Sequence, residues 1–284
     1  MDRTSSSPPV FGGLDLAWYD AIRERMSRRR FDGSPVAPEA LGRLQIMCRE
    51  FQPRPLARLA LVEAAPPELF TGLVGSYGAI KGALSAALFI ASEDCQLDAG
   101  YTGEALILEA TRLGVDTCWL AGSFGKDLAQ TLVDLDPGER VVAVTPLGRA
   151  AANIRLGERV VRGSVRAGAR KPIEELAPTV TTEQWPAWAM TAVEAARLAP
   201  SGRNGQPWRF RIEDGVLVMS GIPDPYWTAS FDYGIAMLHV DLGALKAGAT
   251  GAWETGLETP DVARFRPAIR PPTPNARRTD DDLG

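Results

Sequence analysis

Apolar positions recur along this chain with both helical and strand spacing. Helical spacing predicts a helix from residue 15, where an aspartate can cap it, to about residue 26, with Trp18 and Ile22 on one face. A second helix is predicted to begin at Pro38, because proline suits the first helical turn. Continuous apolar runs predict strands at 56–64, 83–92 and 140–147.

Other segments are predicted from the same patterns. Residues 103–113 are apolar almost all round, which predicts a helix in the middle of the fold. Residues 181–184, Thr-Thr-Glu-Gln, resemble a capping box that restarts helical structure. Residues 1–13 and 260–284 carry little apolar surface, and we expect them to be flexible tails. Shorter patterns predict helices at 66–78 and 190–198 and a strand at 209–214.

A polar loop, residues 199–207, separates a helical pattern from a strand pattern. Pro200 and Pro207 fix the backbone near its two ends. Gly202 and Gly205 permit close approach of the main chain to a ligand. An ordinary helix-to-strand connection is the alternative, although this loop is longer and richer in amide side chains than a turn requires. The neutral hydrogen-bonding side chains that would suit a planar heteroaromatic ligand are Ser201, Asn204 and Gln206.

A long basic segment precedes that loop. Residues 148–177 contain six arginines and one lysine, together with several glycines. This composition indicates an extended crossover between two halves of the chain. It fits a solvated linker and contact with an anionic ligand equally well.

Composition and charge narrow the class of protein. Of 284 residues, 45% are hydrophobic and 23% charged, as in a globular protein with a large core. The formal net charge of −4 argues against a general binder of nucleic acids or anionic membranes. Three cysteines without a CxxC pair indicate a reducing compartment. The N-terminus has no apolar signal region, and no apolar run is long enough to cross a bilayer. We therefore expect a cytoplasmic protein, and no metal site is predicted.

An internal repeat relates the two halves of the chain. Six residues recur at a constant offset of 134 positions, without gaps. Two of them are tryptophans, and such a register is hard to attribute to chance. The pairs are Asp98 and Asp232, Gly100 and Gly234, Leu108 and Leu242, Ala110 and Ala244, Gly114 and Gly248, and Trp119 and Trp253.

The two copies differ in their polar segments. Where the second copy has the loop 199–207, the first has only Phe51-Gln-Pro-Arg-Pro55. Where the first copy has Arg25-Met-Ser-Arg-Arg29, the second has Trp185-Pro-Ala-Trp188. Each half thus keeps a different fragment of a polar site. This predicts a fused pseudo-dimer with a single site across the interface between the copies.

These segments resemble motifs of the nitroreductase family of FMN-dependent oxidoreductases. In ordinary members all four motifs lie in one copy, whereas here the second motif comes a whole repeat late. That departure resembles a smaller group of duplicated, single-chain members. The matching segments are Arg25-x-Ser27-x-Arg29, 199–210 with its Asn-x-Gln-Pro-Trp string, 113–124, Leu147-Gly148 and 170–176.

The resemblance implies an α+β fold of the nitroreductase type. Two degenerate copies would form an intrachain pseudo-dimer, with antiparallel-dominated sheets flanked by helices. We assign residues 14–150 to the first half, 151–178 to the basic linker and 179–259 to the second, shorter half. The chain is expected to act as a monomeric pseudo-dimer or a weak homodimer.

The resemblance also implies FMN as the cofactor. Arg25 and Ser27, helped by the cations at 170 and 171, would bind its phosphate. Arg29 would lie near the N1–O2 edge of the flavin, where negative charge develops on reduction. A main-chain N–H at 121 or 122 would meet flavin N5, and the loop of the other copy would line the ring and the ribityl chain. The expected cofactor ligands are Arg25, Ser27, Arg29, Ala121, Gly122, Arg170, Lys171, Pro200, Ser201, Gly202, Asn204 and Gln206.

The implied activity is two-electron transfer by a ping-pong route. NAD(P)H would reduce the flavin, and a nitroaromatic, quinone or similar conjugated small molecule would reoxidise it. No side-chain acid or base is required, and His239, the only histidine, is interpreted as structural. Two alternatives stay open: a flavin-binding protein without turnover, and a scaffold that no longer binds flavin.

Overall fold

The computed structural model describes residues 11–71, 80–152, 169–180, 184–222 and 229–269, which form an α+β fold. The first half contains α1 (Ala17–Glu24), α2 (Pro38–Glu50), β1 (Ala57–Val62), β2 (Ser85–Ala91), α3 (Gln96–Arg112), α4 (Lys126–Gln130) and β3 (Arg140–Leu147). The second half contains α5 (Ile173–Leu176), α6 (Ala187–Arg197), β4 (Trp208–Glu213), β5 (Val216–Gly221), α7 (Ala229–Lys246), β6 (Ala249–Thr255) and β7 (Asp261–Ile269). Short 3-10 turns lie at Pro67–Phe70, Glu93–Cys95 and Gly202–Asn204.

Each half carries its own antiparallel sheet, and the order of strands is the same. The first sheet runs β1-β2-β3 and the second β4-β5-β7-β6. At the repeat offset β6 corresponds to residues 115–121, which pair with the end of β3 and the residue after it through bridges at Leu120–Val144 and Asp116–Gly148. The two halves therefore share one arrangement of elements, as the repeat predicts.

Strand β2 is buried on both faces, and this explains its continuous apolar sequence. Phe89 and its alternate neighbours face the main core, which joins both halves of the chain. Leu88 and Ile90 face a second, smaller cluster on the other side of the sheet. The alternation follows from the two-residue period of a strand.

Helices α3 and α7 pack against each other where the halves meet, and a glycine from each lies at the contact. A Cβ on Gly100 would collide with the carbonyl oxygen of Phe231, and a Cβ on Gly234 would collide with that of Leu97. Gly100 and Gly234 are equivalent positions of the repeat. The same residue type therefore permits the same close approach in both copies. The predicted central helix at 103–113 is confirmed and begins earlier, at Gln96.

The prediction that both ends of the chain form flexible tails was wrong in part. Residues 261–269 form β7, which pairs with both β5 and β6, so the second half extends past residue 259. Phe265 is fully buried, because every second residue of this strand faces the core. Two arginines and a proline interrupt the apolar residues of this stretch, so its pattern was too weak to predict a strand. Near the N-terminus, Phe11 is also buried, with the Arg43 guanidinium 4.2 Å from its ring centre. Residues 1–10 and 270–284 lie outside the described part of the chain.

Other boundaries shifted by a few residues. The helix expected at 66–78 is described only as the turn Pro67–Phe70, and residues 72–79 lie outside the described ranges. Residues 181–183 of the expected capping box lie outside them as well, and α6 begins at Ala187 directly after a proline. Of the basic crossover, 153–168 are likewise undescribed, and its end forms α5. No helix in the described ranges has both the length and the hydropathy needed to span a bilayer.

Candidate functional site

The phosphate-motif segment lies on extended backbone and does not continue the first helix. Helix α1 ends at Glu24, two residues before the predicted end. Main-chain bonds then hold the segment from both sides: the Arg28 N–H donates to the Thr117 carbonyl at 2.7 Å, and the Arg29 carbonyl accepts from Lys81 N–H at 2.9 Å. Within the segment the Arg25 guanidinium donates to Ser27 Oγ at 3.4 Å. The structure thus brings together the first two predicted phosphate ligands.

The polar loop 199–207 has an unusual backbone. Arg203, Asn204 and Gln206 all have positive φ, between 48° and 59°. For a residue other than glycine this left-handed region costs about 1 kcal/mol or more. The loop keeps it because its own polar groups close two turns, in which Asn204 N–H donates to the Ser201 carbonyl at 3.0 Å and Gln206 N–H donates to Ser201 Oγ at 2.9 Å. Such locally strained backbone is concentrated at functional sites.

A buried carboxylate anchors this loop to the helix pair. The Gly202 N–H donates to both carboxylate oxygens of Asp232 at 3.0 Å each. Asp232 begins the repeat on α7, and its equivalent on α3 is Asp98. Asp98 pairs with Arg54 at 3.8 Å, in the short segment that replaces the loop in the first copy. The repeat register therefore preserves the anchoring carboxylate while the loops it anchors differ.

Both amide side chains of the loop, Asn204 and Gln206, form hydrogen bonds with the end of the basic crossover. The Lys171 N–H donates to Gln206 Oε1 at 2.9 Å, and Asn204 Nδ2 donates to the Ala169 carbonyl at 2.7 Å. Asn204 Oδ1 in turn accepts from the Arg170 guanidinium at 2.9 Å. Gln206 is buried, so its carboxamide holds the chain segment in place, whereas Lys171 Nζ pairs with Glu175 at 2.7 Å.

Arg170 connects the two fragments of the predicted site. Its guanidinium also donates to the Leu198 carbonyl at 3.1 Å. The pKa of Arg170 is lowered to about 10, first by burial and then by the positive charges of Arg25 and Arg197, with the negative charge of Glu104 opposing them. Asn204 of the second copy therefore bonds Arg170 directly, and Arg25 of the first copy is near enough for its charge to act on Arg170. The site is locally rich in positive charge, which favours an anion.

Glu104 is the buried acidic residue of this cluster, and it was not among the residues predicted from the sequence. It lies on α3 with no exposed surface and accepts a hydrogen bond from the Trp119 indole at 2.7 Å. Its other oxygen is 3.8 Å from Arg25 Nε and 3.1 Å from His239 Nε2. One signal was available: a glutamate in the middle of an almost wholly apolar helix is rarely there without a partner.

For the remaining predicted ligands, the structure gives the exposure of each residue and its neighbours along the chain. Ala121 is half-buried and Gly122 exposed, two and three residues past the indole that bonds Glu104. Arg29 and Pro200 are half-buried, at the ends of the two segments that meet at Arg170. The role of these residues toward a flavin stays a prediction.

The equivalent place in the other half is filled by side chains. Tyr101 donates to Asp241 Oδ2 at 2.7 Å, and the Trp253 indole donates to the same oxygen at 2.8 Å. The Arg54 guanidinium covers the Tyr101 ring, 4.7 Å from its centre. Trp188, at the start of α6, packs on Phe265, with ring centres 5.5 Å apart. The described residues thus leave polar loop and cation cluster on one side of the pseudo-dimer only.

Asp241 makes the stability of the fold depend on pH. Burial raises its pKa from the ordinary 3.8 to about 6, although the Tyr101 and Trp253 donors oppose the shift. A carboxyl that binds its proton more tightly in the folded state stabilises at acid pH, and that contribution is lost as the pH rises from about 4 to 6. Asp241→Asn keeps an oxygen for both donors and removes the titration. We expect the variant to gain up to about 3 kcal/mol relative to the parent protein between about pH 4 and pH 8. Denaturant unfolding at both pH values measures this, and a difference that does not change with pH would contradict it.

The comparisons with known proteins agree with the fold. The sequence profile of the family described as "Putative TM nitroreductase" matches residues 17–244. A "putative nitroreductase" of Thermotoga maritima is similar over 93% of this chain and 98% of its own, with 19% identity and a TM-score of 0.59. A nitroreductase family protein of Clostridium difficile matches 57% of this chain and 96% of its own, with 18% identity and a TM-score of 0.41. A nitroreductase with bound FMN from Bacteroides fragilis matches 49% and 91%, with 15% identity and a TM-score of 0.35.

Among proteins with curated descriptions, none matches this sequence. The family profile nevertheless spans both halves of the chain, from the start of α1 almost to the end of α7. The Thermotoga protein has the same fold over nearly its whole length. The chain belongs to this nitroreductase family.

Proposed function

We propose that this chain binds one FMN between its two halves and uses it to pass electrons from NAD(P)H to a conjugated small molecule. The observation that carries the proposal is the junction at Arg170. It bonds Asn204 of the polar loop at 2.9 Å, and its pKa is lowered first by burial and then by the charge of Arg25 from the other half. Two segments that are 179 residues apart in the sequence thus contribute to one polar cluster.

The residues of this cluster fit an anionic cofactor. Among the described residues, the buried Nε of Arg25 has no hydrogen-bond partner, because Glu104 at 3.8 Å is too far to accept one. A buried cationic donor without an acceptor is costly, and an anionic oxygen would satisfy it. The FMN phosphate offers three such oxygens, and the pyrimidine edge of the ring gains negative charge on reduction. The phosphate and the pyrimidine edge can therefore both accept hydrogen bonds from Arg25 and its cationic neighbours.

Bound FMN supplies the hydride chemistry, so the work of the chain is to bind, orient and exclude water. Arg25 and Ser27, with Arg170, would hold the phosphate, and Arg29 would stabilise negative charge at the N1–O2 edge. Asn204 and Gln206 fix the loop to residues 169–171, so that Pro200, Ser201 and Gly202 would line the ring. Lys171 would add positive charge at the rim. A main-chain N–H at Ala121 or Gly122 would donate toward N5.

The class of electron acceptor and the order of the two half-reactions are proposed for the same site. We assign the acceptor to nitroaromatics, quinones or similar planar small molecules, taken up after NAD(P)H leaves, in a ping-pong sequence. No side chain near the cluster is needed as a general acid or base. The chain is assigned to the cytoplasm as a monomeric pseudo-dimer or a weak homodimer, without nucleic acid or membrane partners.

Purified protein is expected to be yellow and to contain one FMN per chain, because the equivalent place in the other half is occupied by Tyr101, Asp241 and Trp253. The colour should bleach when NADH or NADPH is added without oxygen and return when a quinone or nitroaromatic follows. Absorbance, with the flavin released and counted against protein, measures both results.

Other outcomes separate the alternatives. Yellow protein that neither nucleotide bleaches would indicate a flavin-binding protein without turnover. Colourless protein that takes up no added FMN would contradict the proposal. Two FMN per chain would contradict the single site while leaving the cofactor assignment intact.

A further inference from the structure

A histidine and a glutamate face each other in the interior of the fold, where the two halves meet. Neither side chain has exposed surface. His239 on α7 has Nε2 at 3.1 Å from Glu104 Oε1 on α3, and its Nδ1 lies 3.0 Å from the carbonyl oxygen of Ala195 on α6. Both ring nitrogens therefore face acceptors.

These contacts fix the number of protons. A carbonyl oxygen can only accept, so Nδ1 must carry a hydrogen to bond Ala195. A neutral imidazole has one N–H, which leaves Nε2 without a hydrogen opposite a carboxylate oxygen. Two buried acceptors would then face each other at 3.1 Å without a proton between them. The pair Glu104–His239 consequently needs one proton more than a neutral imidazole and an ionised carboxylate hold together.

The surroundings decide where that proton resides. Glu104 Oε2 accepts from the Trp119 indole at 2.7 Å, and Arg25 Nε lies 3.8 Å from Oε1, so both neighbours stabilise the ionised carboxylate. The negative charge of Glu104 also acts to raise the pKa of Arg170, at the end of the crossover. The acceptor from α6 is the Ala195 carbonyl, which favours N–H on the ring. The proton is best held on the imidazole, giving an ion pair.

We infer that His239 is a doubly protonated positioning residue: it holds Glu104 ionised and in place, and Glu104 in turn positions the Arg25 guanidinium for an anionic ligand. This rests on the proposed function in one respect, namely that the ligand is FMN. It changes the interpretation of His239 from the sequence alone, which assigned only a packing role. The chain of contacts runs from α6 through α7 and α3 to the phosphate-motif segment.

The protonation state can be measured directly, because His239 is the only histidine in the chain. Protein labelled with isotopic nitrogen in histidine, and freed of any affinity tag, gives ring-nitrogen NMR signals from this residue alone. We expect two protonated ring nitrogens at neutral pH, without any ligand. In Glu104→Gln we expect one, since the amide can donate to Nε2. His239→Gln should remove the signals and so assigns them.

Asp241→Asn is the matched control. It also removes a buried carboxylate that accepts a tryptophan indole at the helix pair, but it touches neither His239 nor Arg25 in the described contacts. Its ring signals should equal those of the parent protein. A singly protonated ring in the parent protein, or the same ring state in parent and Glu104→Gln, would overturn the inference.

FMN affinity tests the positioning role. Glu104→Gln and His239→Gln should each weaken FMN binding about tenfold, because the ion pair that positions Arg25 is lost, while Asp241→Asn leaves FMN binding unchanged. Unchanged affinity in Glu104→Gln, beside an altered ring state, would overturn the link to Arg25. If the parent protein binds no FMN, the proposed function fails, and the ring measurement still decides the proton.

Discussion

Arg25→Ala is expected to weaken FMN binding about 100-fold, which corresponds to the loss of a buried charge-assisted contact of about 3 kcal/mol. The side chain is 8% exposed, and its Nε has no hydrogen-bond partner among the described residues. Asn204→Ala should have a smaller effect of about tenfold, because it acts through Arg170 and the loop. Quenching of FMN fluorescence on titration measures both constants.

Arg28→Ala provides the comparison. Arg28 lies on the same extended segment but directs its guanidinium to Asp116, at 3.5 Å. The Arg28→Ala variant should bind FMN with the affinity of the parent protein. The FMN affinity of Arg25→Lys should lie between those of Arg25→Ala and Arg28→Ala, because lysine keeps the charge and loses the planar fork. If Arg25→Ala and Arg28→Ala weaken FMN binding equally, the effect is general positive charge and the assignment of Arg25 is wrong.

Gly234→Ala is expected to destabilise the fold by about 3 kcal/mol or more and to weaken FMN binding with it. The new Cβ would collide with the Leu97 carbonyl and lie 2.8 Å from the Tyr101 nitrogen, both main-chain atoms that cannot rotate away. Helices α3 and α7 would have to separate. Because Glu104 and His239 face each other across the same helix pair, the site would open as well. Thermal or denaturant unfolding measures the loss.

Gly42→Ala is its counterpart on a surface helix. No atom lies within 4 Å of the position where its Cβ would be, and its helix α2 is regular. Alanine there should be neutral or stabilise by up to about 1 kcal/mol, through helix propensity alone. Equal destabilisation by the two substitutions would mean that close packing of the helix pair does not hold the halves together.

The sequence predicted the regular elements well because their patterns are local. Strand β3 was predicted with its observed bounds, 140–147, and β2 was found because a strand buried on both faces is apolar at every position. The family and the α+β fold followed from motifs and the repeat. Strand β7 was missed, since its burial depends on pairing with both β5 and β6. Such pairing cannot be recognised in nine residues whose apolar pattern is interrupted by two arginines and a proline.

The candidate site was predictable in its loop and phosphate segments and not in what joins them. Arg170 was among the ligands that the family resemblance implied, but its bond to Asn204 comes from tertiary structure. Glu104 and His239 lie 135 positions apart, so no local pattern relates them. Asp232 was recognised as a repeat position, but its bonds to the Gly202 main chain come from tertiary structure.

One side of the pseudo-dimer is filled by side chains, and this affects which substitutions the sequence can accumulate. In a homodimer every substitution occurs twice, so a residue that improves packing at one interface pocket also blocks the ligand at the other. Here Tyr101, Asp241 and Trp253 fill one pocket and leave its counterpart untouched. Fusion therefore uncouples the two sides: one can accumulate rigid, bulky side chains while the other keeps the positive-φ loop that a ligand requires.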